Sequence, residues 1–181
     1  MDLINQYNDV RAYTEQICKP LQTEDYVVQV AEFASPAHSS WFFETFVLLP
    51  HLPEYKLFNI DFPYLFNSYY NNAGDRVLRA KRGNLTRPTT NEVYAYREYV
   101  DTAMGQLLQQ KLDADLFQLV TLGLHHEQQH QELLLSDIKY MFGQNPLFPA
   151  YDVETSLLDQ ESNRESGHVK ISEGVYTIGY Q

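Results

Sequence analysis

Basic residues are scarce: 13 lysines and arginines stand against 24 aspartates and glutamates, a formal net charge of -11 over 181 residues. That excess of negative charge repels phosphate backbones and anionic headgroups, which argues against nucleic acid or a membrane surface as the main partner. Cysteine occurs once, as Cys18, so no internal disulfide can form. No apolar run approaches the roughly 20 residues of a membrane span. The opening Met-Asp-Leu-Ile-Asn-Gln lacks the charged and apolar regions of a signal peptide, so a cytosolic location is expected. Internal repeats and low-complexity tracts are also missing. Such a length fits one domain of ordinary size plus a tail.

What the chain does have is helical periodicity and many aromatic rings. Residues 2–18 place Leu3, Tyr7, Val10 and Ile17 at helical spacing and stop before Pro20. Ser35-Pro36 has the form of an N-cap followed by proline, and the very apolar run from His38 to Leu49 follows until Pro50. Residues 50–88, rich in Tyr, Phe, Asn and Pro, have no sustained period, which predicts a long connection wrapped over the helices so that its rings are buried. Thr89-Thr90-Asn91-Glu92 opens a third helix reaching about residue 110. A fourth covers residues 113–142, about 45 Å at 1.5 Å per residue, with Gly143 and Pro146 beyond. The expected fold is all-α, a four-helix bundle over residues 1–150, then a linker at 151–165. Residues 166–181 alternate around Glu173-Gly174 as a β-hairpin would.

The fourth helix holds the most informative motif, His125-His126-Glu127-Gln128-Gln129-His130. His126 and His130 lie one turn apart, so both imidazoles project from one face and can share a metal ion. Leu119, Gly123, Leu133, Asp137 and Met141 fall on the same stripe, which predicts that the pair points inward. A solvated helix with incidental histidines is the plain alternative. Two histidines seldom complete a metal centre, so a third donor is required. His38 is the best placed, since its helix carries Trp41, Phe42 and Phe46, whereas His51 sits between prolines and His168 in the tail. His125, one residue off the stripe, reads as a neighbour. Asp137, two turns past His130, is positioned by spacing to orient a ligand's second ring nitrogen.

Several separated segments together point to a family: Ser35-Pro36, His38, the run from Trp41 to Leu48, Arg79-Ala-Lys-Arg82-Gly83, the run from Thr86 to Thr89, and the run from His125 to Leu133. In this order they resemble the N-terminal DinB-like domain of the ergothioneine-biosynthesis sulfoxide synthases, over roughly residues 10–150. The resemblance implies a DinB-like four-helix bundle holding Fe(II) through His38, His126 and His130. It implies O2-dependent joining of a cysteine-type thiol, cysteine or γ-glutamylcysteine, to trimethylhistidine, with sulfur oxidised to sulfoxide. By the same resemblance Gln129 faces the trimethylhistidine, and Arg79 and Arg82 take carboxylates of the thiol substrate. Read from the residues alone, the two arginines fit a solvated loop as well.

Two departures accompany the match. Ser35-Pro36-Ala37 runs directly into His38, where the family has about five further residues. Residues 174–179 resemble only the first strands of the formylglycine-generating-enzyme-like domain that completes the family's pocket, so sulfoxide synthase activity of this chain alone is expected to be negligible. Two other readings stay open: a DinB-like thiol transferase or hydrolase using Zn or Ni, and a helical bundle with a vestigial site.

Overall fold

Apolar side chains at intervals of three and four fold as helices in the computed structural model, which describes residues 2–31, 39–67, 70, 74–151, 167–177 and 179. Helix α1, Leu3–Cys18, buries Leu3, Tyr7, Arg11, Thr14, Ile17 and Cys18. A 3-10 turn, Thr23–Val27, follows. The second rod is continuous but changes character along its length: α2 is Ser39–Phe42, a π-helical segment is Phe43–Leu48, and α3 is Leu49–His51. The predicted cap at Ser35-Pro36 and the start at His38 lie outside the described residues. Pro50 accounts for the π segment. It has no N–H to donate to Phe46, and its ring crowds that carbonyl, so the preceding turn widens. The N–H of Leu49 accordingly reaches back five residues to the carbonyl of Glu44.

Two short elements stand among the described residues of the long aromatic connection. Helix α4, Phe62–Phe66, buries both of its end phenylalanines. They pack against Tyr96 at ring distances of 5.0 and 5.8 Å. A 3-10 helix, Arg79–Asn84, follows. Helix α5, Thr90–Leu108, starts with a complete capping box: Thr89 Oγ1 accepts from Glu92 N, and Glu92 accepts from Thr89 N at 2.7 Å. Helix α6, Ala114–Gln144, is capped by Asp113, whose carboxylate accepts from Leu116 N at 2.8 Å.

The Met1–Tyr151 portion forms one compact unit, within which α1, α2, the π segment, α5 and α6 pack on one another. Its main apolar core includes Phe43, Val47, Leu48, Val100, Met104 and Val120. A second, smaller cluster gathers Ile17, Ile138 and Phe142 at the far end of α1 and α6. Glu44 is fully buried and ties the connection to this frame, accepting from Tyr55 at 2.7 Å and Tyr96 at 2.6 Å. Asp152–Gln181 is a separate unit. Its described residues form no strand, and Glu173-Gly174 is a bend rather than the turn of a paired hairpin. No helix among the described residues is long and apolar enough to cross a membrane.

Candidate metal centre

The histidine pair sits where the second rod presses closest to α6. A Cβ on Gly123 would stand 2.6 Å from Phe43 Cε1 and 2.8 Å from Phe42 Cε1, so the close approach depends on glycine. Phe42 then lies over His126, with ring centroids 5.4 Å apart and a 30° tilt. His126 and His130 meet edge to face at 4.6 Å, and their Nε2 atoms are 3.2 Å apart. Burial lowers the pKa of His126, with Glu127 opposing, which keeps the ring in the neutral form that a metal ion requires.

A separation of 3.2 Å suits two nitrogens that share one ion at about 2.1 Å each. The buried Nδ1 of His126 has no hydrogen-bond partner among the described residues, so the ring is held by Phe42 and by its Nε2 contact with His130. Among the described residues no group of three or more His, Cys, Asp or Glu could hold a metal ion. The expected third donor, His38, lies outside the described residues. His125 is exposed, with Nδ1 3.3 Å from Gln128 Oε1, while His51 and His168 are both exposed.

The face of α6 turned inward differs from the predicted stripe. Its buried positions are Leu116, Val120, Gly123, Leu124, Glu127, Gln131, Ile138 and Phe142. Leu133 is 52% exposed, and the two histidines are half-buried at the shoulder of the helix. The rotation has a physical cause in Glu127. Its Oε1 accepts from Thr14 at 2.6 Å and Arg97 at 3.1 Å, and its Oε2 accepts from Arg11 at 3.0 Å. Burial alone would raise this carboxyl's pKa, but the two guanidiniums and the hydrogen bonds outweigh it and hold the value below the ordinary one. Arg11 also donates to Asp101 at 2.6 Å and to Ser40 at 2.8 Å, and Gln131 donates to Thr14 at 2.9 Å. A satisfied layer of charge therefore separates the two apolar clusters.

Sequence reasoning missed this layer. The available signal was a charged side chain at an inward position: Arg11 follows Tyr7 by four, Glu127 follows Leu124 by three, and Arg97 precedes Val100 by three.

Beyond the histidines, a cavity of about 470 Å³ opens between α1, α5, α6 and the two loop segments that follow the 3-10 turns. Its α6 wall begins at Leu134, one turn after His130. Arg82 lines it and is buried, with Nη2 donating to Asn67 O at 3.3 Å. Arg79 opens the 3-10 helix that carries Arg82, while its side chain lies outside the described residues. Gln129 is exposed between the two histidines. Asp137 corrects an expectation. It lines the cavity and makes no hydrogen bond to either histidine among the described residues, and burial alone raises its pKa. Two turns of helix place it too far along the axis to reach an imidazole. Arg87, Arg97 and Cys18 line the same cavity, none of them expected to do so. The sequence matches no known family model and no curated protein.

Proposed function

We propose that the helical unit is the iron-binding domain of a non-haem Fe(II), O2-dependent sulfoxide synthase of ergothioneine biosynthesis, a DinB-like four-helix bundle in which His38, His126 and His130 hold the ion. The observation that carries this reading is the convergence of the His126 and His130 Nε2 atoms to 3.2 Å on one face of α6. When bound, ferrous iron supplies open coordination positions at which thiol sulfur, imidazole and O2 can meet. In the overall reaction one O2 takes two electrons from carbon–sulfur bond formation and two from sulfur oxidation, leaving one sulfoxide and one water.

The chain's own residues position and shield. Phe42 covers one side of His126, and burial keeps that ring neutral. Arg82, on the cavity wall, suits a carboxylate of the thiol substrate, with Arg79 of the same 3-10 helix as its companion. Gln129, exposed beside both histidines, offers its amide to trimethylhistidine. The test is anaerobic calorimetric titration of the chain with Fe(II), alongside His130→Ala. One site in the parent and none in the variant supports the reading. No site in the parent overturns it, and preference for Zn(II) or Ni(II) with turnover of a thiol conjugate favours a transferase or hydrolase instead.

A further inference from the structure

We propose that Asp137 is a ligand-binding residue that receives the ammonium group of an amino-acid-type thiol, while Arg82 receives its carboxylate. This rests on the reading above and adds to it a residue that discriminates among thiols. Three observations carry it. First, Asp137 and Arg82 line one cavity but belong to different walls, α6 and the 3-10 helix Arg79–Asn84. A molecule lying between them meets opposite charges at its two ends. Second, the side chains flanking Asp137 on its own wall, Leu134, Ile138 and Met141, are all apolar. In such a wall a carboxylate is the single polar determinant of what lies against it. Third, Asp137 makes no hydrogen bond or ion pair within the protein among the described residues, and no neighbouring charge moves its pKa.

A half-buried carboxylate with no partner costs stability, and a mid-helix position facing a cavity does nothing to offset that cost. The other acids of the cavity differ. Glu15 accepts from Arg97 at 3.2 Å, and Asp25 accepts from Gln22 N at 2.7 Å. A cavity of about 470 Å³ holds a molecule of cysteine or dipeptide size. An ammonium donor would give Asp137 the charge-assisted hydrogen bond that the protein withholds.

The experiment compares L-cysteine with 3-mercaptopropionate, which lacks only the amine, by calorimetric titration of the full chain, of Asp137→Asn and of Arg82→Gln. In the parent, cysteine is expected to bind roughly tenfold tighter than 3-mercaptopropionate, the size of one hydrogen bond to a charged group. Asp137→Asn should remove that preference and leave 3-mercaptopropionate binding unchanged. It should also melt no lower than the parent at neutral pH, because it removes an unpaired carboxylate. An unchanged preference in Asp137→Asn, or a lower melting temperature, overturns the role of Asp137. If Arg82→Gln still weakens both thiols, the functional reading survives that failure. If neither thiol binds the parent and Fe(II) also fails to bind, both are overturned together.

Discussion

Neutralising Glu127 would leave two buried guanidiniums facing each other across a vacated charge. Glu127→Gln is expected to destabilise the fold by about 3 kcal/mol, read from urea unfolding, because removing one partner of a buried ion pair exposes the cost of the others. The pH dependence has a definite sign. The folded-state pKa of Glu127 lies below its ordinary 4.5, so its stabilisation is complete above that value and is lost as pH falls through the folded value. The acid limb of stability should accordingly flatten in Glu127→Gln, as followed by melting temperature from pH 6 to pH 3. Gly123→Ala should cost about 1–3 kcal/mol and displace Phe42 from His126, visible as a coupled change in the histidine resonances. The four-residue spacing of His126 and His130 made their pairing legible from sequence. Glu127 was not legible, because hydropathy treats a carboxylate as a surface group and cannot see Arg11, 116 residues away, that satisfies it.

At the scale of elements, the caps were the clearest signals. Thr89, Glu92 and Asp113 do in three dimensions what their spacing implies, because a helix end needs acceptors for its first N–H groups wherever it sits. Thr89→Ala should let the first turn of α5 open, with roughly fivefold faster amide exchange there and little change further along. The π segment was hidden in sequence. Pro50 marked the end of a helix, but its effect runs backward into Phe43–Leu48, where it sets which rings meet α6. In the tail, alternation suggested a hairpin at residues 166–181. An isolated two-stranded pair gains little without a surface to pack on, and the described residues there form no ladder.

Across the whole unit, α2 and the π segment cover the first half of α6, and the cavity flanks the second half. Amides of residues 134–142 are therefore expected to exchange faster than those of residues 118–128, in native-state hydrogen exchange at neutral pH. The overall helical class followed from periodicity because it depends on local spacing, whereas the division into two apolar clusters depends on contacts between distant helices. The charged layer between those clusters also constrains the order of events during synthesis. Arg11 emerges early and Ser40 soon after, but Asp101 arrives only with α5, and Glu127 and Gln131 arrive only with the last helix. On the ribosome, a nascent chain that ends short of Gln131 cannot close this layer. Its N-terminal helices must keep their charges in water until α6 has left the exit tunnel.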